Sequence, residues 1–277
     1  MTITLPKDPR WFQIAALSTL LTGGTLWLGL EFRWSNSLVI VATALGVQWI
    51  GNRALRQPFD PRSALITSLS LTLLLRAASP PWAIAAAALA IGSKFVVRAR
   101  GKHIFNPANF SIVLLMLCTD EVWVSSGQWG SALLGATVMA ALGLLVLSRA
   151  RYAETALSFL AVFTLLAFAR ALWLGDPLAL ALHQLSNGAL LVFTFFMISD
   201  PKTAPDRALG RCFYGALVAA VAFSLEVVWF VTAAPVWALA FLAPCVPVID
   251  ALWQGPRYRW ARPATTSLTA TKGGNYA

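Results

Sequence analysis

Long apolar runs recur down the whole of this 277-residue chain, separated by short polar or Pro- and Gly-bearing breaks. Crossing the ~30 Å hydrocarbon core of a bilayer takes about 20 apolar residues in a helix. The runs read as spans over residues 11–30, 36–51, 63–75, 82–97, 108–124, 130–148, 154–174, 182–199, 210–231 and 234–253. The third is too short to cross alone as a straight helix, and the second and fourth are marginal. Charged residues are only 12% of the chain while hydrophobic ones are 58%, where a soluble domain carries about 25% charged. A soluble two-domain enzyme, a disordered chain and a nucleic-acid module are thereby excluded. The sequence predicts an all-α integral membrane protein with about ten transmembrane helices.

The net charge of +10 is a topology signal rather than a ligand surface. With the N-terminus inside, Lys and Arg divide 18 to the inner segments against 3, Arg33, Arg76 and Arg170, to the outer ones. Cytoplasmic loops retain positive charge, so the alternation supports both the span count and an orientation with cytoplasmic termini. Residues 1–277 then form one polytopic domain. Residues 1–10 are its cytoplasmic start, 11–124 and 130–253 are two five-span halves, and 254–277 are a basic cytoplasmic tail. The first span resembles a signal-peptide core, but Leu30-Glu31-Phe32-Arg33 follows without a small-residue cleavage site, so an uncleaved anchor is expected. Trp11, Trp34, Trp82, Trp123, Trp129 and Trp253 sit at span ends, as an interfacial belt requires. Cys118, Cys212 and Cys245 lack paired-ligand spacing and are expected to be buried small hydrophobes.

Ten spans divide into two sets of five, and an odd-numbered unit repeated in tandem inserts its second copy upside down. The short third span, Ser63 to Trp82 with its following loop, has a counterpart in the eighth, Ser186 to Pro205. Both are Ser/Thr-bearing apolar runs ending at a Pro-containing loop. Such paired short spans in two halves mark a mid-membrane site in inverted-repeat proteins.

Two polar clusters break the apolar background on the inner side: GKHIFNPANF at 101–110 and FFMISDPKTAPDRALGR at 195–211. Asn106 before Pro107 is a good helix N-cap, and Asp200 before Pro201 suits a cap or a turn. Capping alone does not explain two loops so rich in donors and acceptors facing one compartment.

Phe105-Asn106-Pro107-Ala108 resembles the FNPA motif of the RnfD/NqrB membrane subunits of bacterial ion-translocating electron-transport complexes. Phe196-Met197 with Ser199-Asp200-Pro201, Gly210-Arg211 and Gly215 is similar to that family's second signature, and Pro247-Val248-Ile249-Asp250 to its closing motif. Ser63-Ala64-Leu65, Pro80-Pro81-Trp82 and Lys94 also fit, so the resemblance runs over about residues 60–262 in order. It implies a ten-span inverted repeat that carries a flavin, riboflavin or FMN, and passes electrons across the membrane with other membrane and soluble subunits.

In larger members FMN is attached to a Thr of a Gly-Ala-Thr type motif. The match here, Gly135-Ala136-Thr137, lies inside the sixth span between Leu134 and Val138. Helix packing explains Gly135 and Ala136 better, and Thr137 stays a weak covalent candidate, so noncovalent flavin is expected. Phe105, Asn106, Pro107, Asn109, Ser199, Asp200, Thr203 and Arg211 are the cofactor-binding candidates. Phe105, Phe195 and Phe196 would pack on the ring, and Lys102 and Arg211 would stabilise an anionic ring or phosphate. Glu226, inside the ninth span, is an ion-coupling candidate.

Asp250 is expected to pair with the Arg257–Arg262 cluster, His103 to be solvated or to face phosphate, and His183 to lack metal partners. No GxGxxG follows a strand, so a nicotinamide donor would act through a partner. The same pattern also suits a small-solute transporter or channel, or a cofactor-free assembly scaffold.

Overall fold

A computed structural model of the chain describes residues 8–27, 29, 32–125, 140, 142–144 and 153–258. Most of the sixth predicted span, including Gly135, Ala136 and Thr137, lies outside the described residues.

The described chain is mostly helical. The first half comprises α1 (Pro9–Trp27), α2 (Trp34–Ala54), α3 (Arg62–Leu74), α4 (Pro80–Val96) and α5 (Pro107–Cys118). In the second half, α6 (Glu154–Leu174) is followed by α7 (Leu178–Leu185) and α8 (Gly188–Val192). A π-helical turn, Phe193–Met197, extends α8, and α9 (Ala208–Val227), α10 (Ala234–Leu242) and α11 (Val246–Leu252) complete the half. Local chemistry sets the ends. Pro80 and Pro81 open α4, and Asn106 caps α5 ahead of Pro107. Gly175 takes the left-handed conformation, φ 73°, that closes α6.

Three helical stretches are long and apolar enough to cross a membrane, Glu154–Leu174, Ala208–Val227 and Ala234–Leu252. Together, Leu178–Leu185 and Gly188–Met197 make a fourth, bent by 50° where Asn187 starts a new helix by accepting a bond from the Ala189 amide. Helices α3, α4 and α5 are shorter and apolar. This is a multi-pass membrane protein.

The short third span ends in a way the sequence does not announce. At ~1.5 Å per residue, α3 covers only about 20 Å. Its chain continues as an extended strand, β1 (Leu75–Ala77). Instead of an all-α chain, then, the molecule contains two short antiparallel pairs. Strand β1 pairs with β4 (Val122–Val124) through Arg76↔Trp123, and β2 (Arg98–Ala99) pairs with β3 (Lys102–His103). The first ladder satisfies extended backbone that is largely buried in protein, the condition under which non-helical chain is tolerated at membrane depth.

Small residues bring the helices together. Ala83, Ala86, Ala87 and Ala90 bury one face of α4. A Cβ at Gly215 on α9 would collide with Ser158 Oγ and the Thr155 carbonyl on α6, the small-residue approach characteristic of membrane helices. All three cysteines depart from expectation. Cys118 and Cys212 are exposed, and Cys245 is half-buried and packs against the core.

The loops read from sequence as sharing a side do meet in space. At one end, Arg10 bonds Asp60 at 2.7 Å, Lys102 bonds Asp206 and Asp250, both at 2.9 Å, and Arg257 bonds the Arg100 carbonyl at 2.7 Å. At the other, Arg33 donates to the Ala78 carbonyl at 2.6 Å and Arg76 lies over the Phe32 ring at 4.8 Å.

Candidate functional site

A polar cavity of about 560 Å³ opens between the two halves at the first of these ends. Its wall is built from α2, α3, α4, the start of α5 and the segment after the π-turn. Helix α3 contributes Ser63, Thr67 and Ser70, one face at helical spacing. Gln48 and Asn52 come from α2, Lys94 from α4, and Asn106, Pro107, Phe196 and Asp200 from the two sequence motifs.

The motifs are joined directly. Asn106 Nδ2 donates to the Met197 carbonyl at 3.2 Å, while its Oδ1 accepts the Asn109 amide at 3.2 Å. One side chain therefore caps α5 and holds the other half's π-turn. Asp200 Oδ1 accepts the Lys202 amide at 2.9 Å. Burial raises the Asp200 carboxyl above its ordinary range, opposed by that amide and by the charges of Lys202, Lys94 and Lys102.

The remaining candidates do not converge on the cavity. Asn109 is fully buried and donates to the Val236 carbonyl at 2.8 Å, packing α5 against α10. Ser199 and Thr203 bond back to the carbonyls of Phe195 and Asp200 at 2.6 and 3.3 Å. Phe105 packs against Phe110, centroids 5.2 Å apart, and Phe195 is buried where a Cβ at Gly143 would strike it. Arg211 is held by Glu154 at 3.0 and 3.1 Å and by the Asp206 carbonyl at 2.7 Å. Lys102 is bound between two carboxylates, and Asp250 takes Lys102 and the Asp206 amide; of the tail cluster expected to pair with Asp250, Arg259 and Arg262 lie outside the described residues.

Lining residues that no motif announced include Gln48, Asn52, Arg10, Asp60 and Arg98. Amide side chains four apart in an apolar run, as at Gln48 and Asn52, were the available signal. His103 also lines the cavity; its Nδ1 is buried without a partner. Burial first, then the charges of Arg98, Lys94 and Lys202, lower its pKa to about 4.

Glu226 lies elsewhere, in a separate cavity of about 350 Å³ that Leu74 of α3 and Leu190 and Phe193 of the broken helix also line. It accepts a bond from Gln184 Nε2 at 2.8 Å. Among the described residues, no group of three or more His, Cys, Asp or Glu is arranged to hold a metal ion.

A multi-pass membrane protein whose halves share a polar cavity at one end, under an Asn-Pro helix start, is the class this architecture defines. The model of the NQR2, RnfD, RnfE family matches residues 124–259, a match that supports an RnfD/NqrB-family membrane subunit. That likeness suggests other subunits of a membrane complex as partners. No curated protein matches the chain.

Proposed function

We propose that the chain is a compact RnfD-like subunit that mediates transmembrane electron transport through a noncovalently bound flavin in the polar cavity. The observation that carries this reading is the Asn106–Met197 bond, which makes two motifs from opposite halves into one wall with Asp200. The wall chemistry fits a flavin. Amide and hydroxyl groups from Gln48, Asn52 and Ser63 suit a ring edge or ribityl chain, and Phe95 and Phe196 add aromatic surface. A bound flavin would supply the electron chemistry; the protein would position it and exclude competing reactions.

In this reading ten spans form two inverted repeats in a bacterial inner membrane with both termini cytoplasmic. The cavity then faces the cytoplasm, where a soluble reductase subunit would deliver electrons. Glu226, a carboxylate in the cavity at the opposite end, is the candidate for ion coupling. The test is the visible spectrum of protein purified in mild detergent with excess riboflavin and FMN, followed by acid precipitation. Flavin released to the supernatant supports the proposal. Chromophore retained on the denatured band means covalent attachment, and a colourless preparation rejects flavin altogether.

A small-solute transporter is the second reading. It is favoured by cavities at both ends that share α3 and the π-turn segment, through Ser70 and Phe196 in one and Leu74 and Phe193 in the other. A colourless protein that moves solute in vesicles would select it.

A further inference from the structure

Among the described residues Lys94 is a buried cation without an ion-pair partner. It is 7% exposed, and its Nζ donates to Gln48 Oε1 at 2.7 Å and to Ser63 Oγ at 2.9 Å, both neutral. Among the described residues its ammonium forms no salt bridge, whereas Arg10, Arg62, Lys102 and Arg211 each do. The neighbouring carboxylates are already engaged. Asp60 is bound by Arg10 and Arg62, both at 2.7 Å, and Asp200 accepts the Lys202 amide.

The groups holding Lys94 fix it without neutralising it. Gln48 Nε2 donates to Asn52 Oδ1 at 2.5 Å, and Asn52 Nδ2 donates to the Pro58 carbonyl at 2.6 Å. This amide relay anchors the lysine's acceptor to the backbone. An ammonium has three N–H donors, so two protein bonds leave one. Burying a charge is costly unless it is paired. Apart from the Arg10–Asp60 pair and Lys202, which bonds the Tyr258 carbonyl, the described residues of the cavity wall carry Lys94 and Arg98 against the carboxylate of Asp200. That surplus of positive charge matches an anion.

We infer that the cavity takes a phosphate monoester, with Lys94 as the buried counter-charge of its anionic phosphate and Arg98 beside it. Naming the ester as FMN in preference to riboflavin rests on the flavin reading above; the anion site itself does not.

The test uses flavin-free full-length protein in detergent, with FMN, riboflavin and inorganic phosphate as separate probes. Flavin affinities are read by fluorescence, and thermal unfolding by scattering. FMN is expected to bind at least ~10-fold more tightly than riboflavin at low salt, a difference of about 1.4 kcal/mol. Inorganic phosphate should raise the unfolding midpoint. Lys94→Gln should remove both the FMN preference and the phosphate effect while keeping riboflavin binding. Should that variant fail to fold, Arg98→Gln, at an exposed position, must reduce the FMN preference with riboflavin affinity unchanged. Equal affinity for the two flavins with no phosphate effect overturns the anion site and leaves the flavin reading standing. Phosphate stabilisation that depends on Lys94, without binding of either flavin, upholds the site and removes the flavin reading. No response to any probe overturns both.

Discussion

His103 sits in the hairpin between α4 and α5 with its Nδ1 buried and unpartnered, and the folded protein holds the ring neutral. Its pKa falls from an ordinary 6.5 to about 4, so the unfolded chain takes up a proton that the folded chain refuses. Stability should fall as pH drops from about 6.5 to about 4, by on the order of 3 kcal/mol. Asp60 acts in a different window. Burial alone would raise it, yet Arg62 and Arg10 bring it down to about 2. Its contribution is present above its ordinary 3.8 and is lost as pH falls through about 2. Thermal unfolding of His103→Gln across pH should lack the first decline and keep the second. At the same scale, Asn106→Ala and Asp200→Ala are expected to lower flavin occupancy without preventing membrane insertion. Unchanged occupancy in both would move the site elsewhere. Asn106 and Asp200 were legible in the sequence because polar clusters stand out in an apolar chain. The Lys94–Gln48–Ser63 set was not, since its members come from three different helices and only folding brings them within 3 Å.

Among the elements, α3 and the broken α7–α8 pair show how far pattern reading reaches. A run too short to span was visible from its length, and its counterpart was visible as a Ser/Thr-bearing segment. That one ends in a paired strand and the other bends by 50° was not visible. Three residues, Leu75-Arg76-Ala77, are too few to show a periodicity of two. The glycines of the second motif have a packing role: Gly210 approaches Ile249 and Pro205, and Gly215 seats α9 on α6. Replacing Gly215 by Ala would force a Cβ into the Thr155 carbonyl, and should cost about 1–3 kcal/mol as an overpacked seam. Unfolding in detergent–SDS mixtures measures it. An unchanged midpoint would mean that the two helices are not in close approach there.

For the molecule as a whole, the uneven distribution of basic residues predicts which end faces which compartment, and the exposed cysteines provide built-in reporters. Cys118 ends α5 near the 119–124 segment, and Cys212 lies in the second turn of α9, beyond the loop that bonds Lys102. In intact spheroplasts of single-cysteine variants, a membrane-impermeant thiol reagent should label Cys118 and reach Cys212 only after permeabilisation. The reverse pattern would invert the topology. Between the halves, the bonds from Asn106 to the Met197 carbonyl and from Asn109 to the Val236 carbonyl run from side chain to main chain. Any residue at 197 or 236 offers a carbonyl, whereas few side chains can replace the carboxamides opposite. At these two contacts the mutational burden is therefore one-sided. Substitution at 197 and 236 can proceed freely where shape allows, and at these two contacts the asparagines carry the memory of how the halves were fitted together.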